Sequence, residues 1–205
     1  ANLYIFFPPF PIIDFVEHLT SRCSKAIAMH RRAAWGTIVR RDKTRDLRFR
    51  AYKIGEDAVF QMEYFWRTKS WLLAEVPLYF YRTRRDSAMT GRMSADKLLD
   101  SIAAERDMLL MMEKHRHEIN IVHCKDYLEW NGRHVYQTLS RQLSLLPTND
   151  RVKLIYRWVG LQKLQYEIFP HIGVLRRFVV WAVDKSRSPF LFNALILRIP
   201  IFAAR

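Results

Sequence analysis

Cysteine is scarce in this chain: Cys23 and Cys124 are the only two among 205 residues, and they lie far apart. That leaves no disulfide framework and points to a reducing compartment. Long apolar runs are also missing. No uninterrupted stretch reaches the roughly 20 residues that cross a bilayer as a helix, so a spanning protein is not expected. The opening Ala1-Asn2-Leu3-Tyr4-Ile5-Phe6-Phe7-Pro8-Pro9-Phe10 has no basic residue in front and is broken by proline. It lacks the plan of a signal peptide. Internal repeats and low-complexity tracts are absent as well, which excludes solenoids and biased linkers.

What the chain does have is apolar bulk and positive charge. Half of its residues are hydrophobic and 14% are aromatic, enough for a packed core rather than a disordered chain. Lysine and arginine number 34 against 20 acidic residues, a formal charge of +14. Such an excess attracts an anionic partner: nucleic acid, acidic lipid or a phosphorylated ligand.

The pattern divides near residue 92. Pro8, Pro9 and Pro11 bar residues 1–13 from a helix interior or a central strand. Asp14 is expected to start a helix running to about Ala28. Trp35-Gly36-Thr37-Ile38-Val39-Arg40-Arg41 reads as a strand, followed by a polar connection from Asp42 to Arg48. Gly55 punctuates the chain, and Glu56-Asp57 opens a helix to about Lys69, with Val59, Met62, Phe65 and Trp66 at helical spacing. Trp71–Val76 and Leu78–Arg82 are short, aromatic and β-favouring, and Arg84–Ser87 is a loop. From Ser94 a long helix runs to His115, marked by Leu98, Leu99, Ile102, Ala103, Leu109, Leu110 and Met112. A second helical stretch is expected from Tyr127 to Leu146. Pro147-Thr148-Asn149-Asp150 then signals the start of a third, to about Phe169. The expected architecture is a mixed α/β region over residues 1–92, then a basic, mainly α-helical region over 93–205.

The chemistry is concentrated between residues 33 and 90. In order come Ala34-Trp35-Gly36, Arg40-Arg41, Leu47-Arg48-Phe49, Gly55-Glu56-Asp57-Ala58-Val59-Phe60, Glu75-Val76-Pro77-Leu78-Tyr79-Phe80-Tyr81-Arg82 and Ser87-Ala88-Met89-Thr90. This succession resembles the C-terminal half of the catalytic domain of family 2 glycosyltransferases, which have the GT-A fold. The likeness covers roughly 60 residues and implies a partial GT-A-like mixed sheet with helices. It also implies inverting transfer of a sugar from a nucleotide-sugar donor to a saccharide or lipid-linked acceptor, as in bacterial surface polysaccharide synthesis.

Inverting transfer needs one carboxylate to take the proton of the attacking hydroxyl. The resemblance gives that role to Asp57, at a helix N-terminus where the dipole favours negative charge. Glu56 faces elsewhere, because adjacent helical residues do not share a face; contact with the acceptor or support of the loop suits it. The plain alternative is that acidic residues in a first turn only stabilise a helix, by about 0.3–1 kcal/mol each. Arg82, Arg84 and Arg85 are candidates for the donor pyrophosphate, since guanidinium offers paired donors to phosphate oxygens. Trp35 is a candidate platform for an acceptor sugar, with a core position as the alternative.

Two family elements are missing from this sequence: the opening strand that leads into a Pro-x-Tyr/Phe-Asn turn, and the Asp-x-Asp cluster. That cluster binds Mg²⁺ or Mn²⁺, so the family implies a divalent ion whose ligands are not in this chain. The expectation is a piece of a longer product or a degenerate gene. The isolated chain, given nucleotide sugar, Mn²⁺ and acceptors, is expected to transfer nothing, and robust turnover would refute that expectation. Processive members carry Gln-x-x-Arg-Trp, whereas here Leu154 precedes Arg157-Trp158, so addition of a single sugar fits better.

The segment 151–205 interleaves lysine and arginine with Trp158, Phe169, Phe178, Trp181, Phe190 and Phe192. This suits a helix lying on an acidic membrane surface, or a tail packed on its own domain with a solvated basic face. A cytoplasmic enzyme, peripheral on the inner face of the membrane, is the expected setting. His115-Arg116-His117 and His123-Cys124 lack the four ligands at firm spacing that zinc requires. Two non-catalytic alternatives remain: a basic helical module for nucleic acid, which charge and aromatics also suit, and a membrane-surface protein without catalysis.

Overall fold

The computed structural model describes residues 3–4, 38–67, 81–82, 93–118, 138–139, 141–170 and 174–186. Its elements in chain order are β1 (Leu3–Tyr4), α1 (Arg41–Thr44), α2 (Glu56–Arg67), β2 (Tyr81–Arg82), α3 (Ala95–Lys114), α4 (Thr148–Ile168) and α5 (Val174–Ser186). Short 3₁₀ turns occur at Arg116–Glu118 and Leu143–Leu145.

The described part is mainly helical, which overturns the expected α/β fold with a GT-A-like mixed sheet. Among the described residues, β structure is limited to one antiparallel pairing of two residues with two: Leu3 opposite Arg82 and Tyr4 opposite Tyr81. The strand expected over residues 35–41 is corrected at its end, because Arg41 already lies in α1. Local polar bonds explain the switch. The β-branched run stops at Val39, and Arg40 ties itself to Asp42 through Nε–Oδ1 and Nη2–Oδ2 contacts of 3.0 and 3.1 Å. Thr44 Oγ1 then donates back to the carbonyls of Arg40 and Arg41, closing a helical turn rather than a ladder. Trp35–Thr37, the expected helix 14–28, the runs 71–76 and 78–80, and the loop 84–87 lie outside the described residues.

The long helices begin where local chemistry dictates. Ser94 Oγ accepts from the Lys97 backbone N–H at the start of α3, an N-cap bond that satisfies one orphan donor. At the other end, His115 turns its own N–H onto the Met111 carbonyl. Proline at residue 147 precedes α4 in extended backbone, and Asp150 sits in the first turn, where negative charge meets the helix dipole favourably.

Packing follows the apolar stripes. Leu98, Ile102, Leu109 and Met112 of α3 are buried with Leu154, Trp158, Val159 and Leu161 of α4 and Val180 and Val183 of α5, in one cluster. Trp158 and Leu154 are at 0% exposure, at its centre. A smaller cluster joins Ala58 and Val59 of α2 to Ala104 and Met108 of α3. Polar residues enclosed with these are Gln61, Glu105, Gln162 and Gln165. Gly55, just before α2, sits against Ala104, and Trp66, near its end, stacks on His115 at 4.5 Å with parallel rings. Helix α2 therefore runs beside the second half of α3 in the same direction. Among the described residues no helix is long and apolar enough to cross a membrane.

Candidate functional site

The carboxylate pair singled out by sequence, Glu56 and Asp57, occupies the first turn of α2, and both side chains are half-buried. Gly55 makes that placement possible. Its φ is +88°, a conformation glycine adopts without steric cost. Its carbonyl accepts from the Val59 N–H at 3.2 Å, the first bond of the helix. Asp57 Oδ1 accepts from the Ala58 backbone N–H at 2.8 Å. The pair is thus held on a helix start, where unsatisfied N–H groups and the macrodipole favour negative charge.

The segment leading into this turn is fastened to α3 by carboxylates that the sequence reading did not single out. Asp100 Oδ2 accepts from the Lys53 backbone N–H at 2.8 Å, and Asp96 Oδ2 accepts from Lys53 Nζ at 2.7 Å. Tyr52 Oη donates to Asp107 Oδ2 at 2.9 Å. Arg50 stands 3.9 Å from both Asp107 and Glu63, bridging α3 to α2. Positions 96, 100 and 107 are four and seven apart, so they share one helix face. That spacing was visible in the sequence, and it was the available signal for a polar strap. One step further out, Phe49 stacks on Phe60 at 4.4 Å, closing the loop over α2. Arg67, at the far end of α2, pairs with Asp46 at 2.6 Å and with Glu63 at 3.2 Å.

The electrostatics follow from these contacts. The hydrogen bond from Lys53 holds the exposed Asp96 carboxyl below its ordinary value, and Arg67 does the same for Asp46. Tyr52 moves the other way: burial, then its bond to the Asp107 carboxylate, push the phenol above its ordinary value. A group whose folded pKa is raised contributes stability that is complete below its unfolded pKa and is lost as pH rises through the folded one. Tyr52→Phe is therefore expected to cost about 1 kcal/mol near neutrality. The cost should hold steady up to about pH 9.5 and shrink above about pH 10 as the parent's own phenol ionises. Urea unfolding of both proteins across that range checks it; a difference that grows with pH contradicts the assignment.

Of the remaining predicted site residues, Arg82 is described by its backbone alone, in β2 opposite Leu3. Trp35, Arg84 and Arg85 lie outside the described residues. Among the described residues no three His, Cys, Asp or Glu side chains converge on a point that would hold a metal ion. His115, one of the histidines weighed as a zinc ligand, instead stacks on Trp66 at the end of α3. No protein-family model, curated protein or solved structure matches the chain.

Proposed function

We propose that the turn Gly55-Glu56-Asp57 is the acceptor-activating element of an inverting sugar transferase, with Asp57 as its general base. The observation that carries this reading is the half-buried Glu56–Asp57 pair on a helix start, just after a segment whose Tyr52 and Lys53 are bonded to three carboxylates of α3. In the sequence the pair falls within the order of residues that resembles family 2 glycosyltransferases, from Trp35-Gly36 to Leu78-Tyr79-Phe80-Tyr81-Arg82 and Ser87.

In the proposed reaction the acceptor hydroxyl oxygen bonds to the anomeric carbon of a nucleotide sugar, and the bond from that carbon to the diphosphate oxygen breaks. The hydroxyl proton passes to the Asp57 carboxylate, and nucleoside diphosphate leaves with the electron pair. A carboxylate suits this step because the hydroxyl acidifies as its oxygen bonds to carbon. A rigid mount also matters, since an error of about 1 Å in position costs about 10²-fold in rate. Glu56, facing another direction, contacts the acceptor or steadies the turn. Arg82, Arg84 and Arg85 are the proposed partners of the donor diphosphate, and Trp35 the proposed platform for an acceptor sugar. The acceptor is a saccharide or a lipid-linked saccharide.

The test is Asp57→Asn introduced at the gene's own locus, with cellular polysaccharide and protein level followed together. Loss of a polysaccharide at unchanged protein level is the expected result. Unaltered polysaccharide removes Asp57 from the role.

A further inference from the structure

Helix α5 is the outer layer of the described bundle, and its outward side has the wrong composition for water. Val180 and Val183 face α4 and are each 1% exposed. At 3.6 residues per turn the opposite stripe is Phe178, Trp181 and Lys185. A solvent-facing stripe is ordinarily polar. Here Phe178 is 61% exposed and Trp181 55%, with ring centroids 5.8 Å apart. The net charge beside them is positive. Lys185 is exposed on the stripe, and Arg177 is exposed at its edge, with one guanidinium N–H donating to the Pro170 carbonyl at 3.0 Å. The single acid of α5, Asp184, is already neutralised by Lys163 Nζ at 3.1 Å.

We infer that this stripe is a membrane-docking face, whose occupant is the headgroup region of an anionic lipid bilayer. Two neighbouring aromatics with cations at their margin match that boundary. Flat amphipathic rings settle at headgroup depth while lysine reaches the lipid phosphates. The net charge of +14 supplies long-range attraction to the same surface. This inference is independent of the role proposed for Asp57.

Vesicle flotation of the full chain tests it, comparing phosphatidylcholine alone with phosphatidylcholine containing phosphatidylglycerol. The chain is expected to float with the anionic vesicles and to stay down with the neutral ones. Phe178→Ser with Trp181→Ser should weaken flotation by at least about tenfold. Lys185→Gln should weaken it by about fivefold, the loss of one cation near an acidic leaflet. Lys185 is exposed, so its substitution keeps the test decisive even where the double serine variant folds poorly. Three results would overturn the inference: no flotation on anionic vesicles, equal flotation on both, or flotation untouched by these substitutions. A fourth is a smaller species of the serine variant on gel filtration, which would assign the stripe to a contact between copies. A fifth is loss of oligonucleotide binding in that variant without any flotation by the parent, which would assign it to nucleic acid.

Discussion

Introduced at the gene's own locus, Asp57→Asn is expected to lower sugar transfer in the cell by about 10²–10⁴-fold, the usual contribution of a positioned general base. The substitution separates chemistry from structure. Asparagine keeps Oδ1, so the acceptor for the Ala58 N–H, now 2.8 Å away, survives. What disappears is the negative charge and with it the capacity to take a proton. The charge's attraction to the helix start accounts for about 0.3–1 kcal/mol of stability. Unfolding midpoints should therefore stay close to the parent's while turnover collapses. Glu56→Gln is the companion measurement: it removes a first-turn charge at the neighbouring position at a similar stability cost. If the two carboxylates were only helix stabilisers, both substitutions would leave turnover alone. A loss confined to Asp57→Asn assigns the base; equal and severe losses in both would point to a damaged turn instead.

The legibility of this molecule in its sequence tracks the range of the interactions involved. Helix starts are set by a few neighbouring residues, and three of them were readable: Gly55 before α2, Ser94 before α3 and Pro147 before α4. The apolar periodicity of α3 located Leu98, Ile102, Leu109 and Met112 correctly, although Leu110 turns outward. Buried Glu105 does not announce itself in a hydrophobic pattern. Helix α1 was missed because Arg40, Asp42 and Thr44 close a turn through side chains that a propensity reading counts as loop formers. The carboxylate pair of the candidate site was legible as a motif. Its fastening was not, since Lys53 reaches Asp96 and Asp100 across more than forty positions and only the folded chain pairs them.

Gly55 joins fold and site most directly, and substituting it should have the largest effect on stability. A Cβ added there would lie 2.8 Å from the Ala104 Cβ, on a backbone with φ of +88°. Two separate costs follow for Gly55→Ala. The left-handed backbone contributes about 1–2 kcal/mol, and the overpacked contact with α3 about 1–3 kcal/mol. Two further variants resolve them. Gly55→Asn tolerates the positive φ but still carries a Cβ, so it should bear mainly the steric cost. Gly55→Ala combined with Ala104→Gly removes the clash and keeps the backbone strain, at the expense of about 1 kcal/mol for glycine within α3. If the contact is as close as described, the double variant should be more stable than the sum of its parts by about 1–3 kcal/mol. Additive unfolding energies would show instead that α2 shifts away from α3 without penalty. The same shift has a functional reading. Gly55 sets where α2 begins, so Gly55→Ala should reduce transfer beyond its effect on the amount of folded protein. Gly55→Ala with Ala104→Gly should recover part of that loss, because it lets the Glu56–Asp57 turn settle back against the strap from Asp96, Asp100 and Asp107.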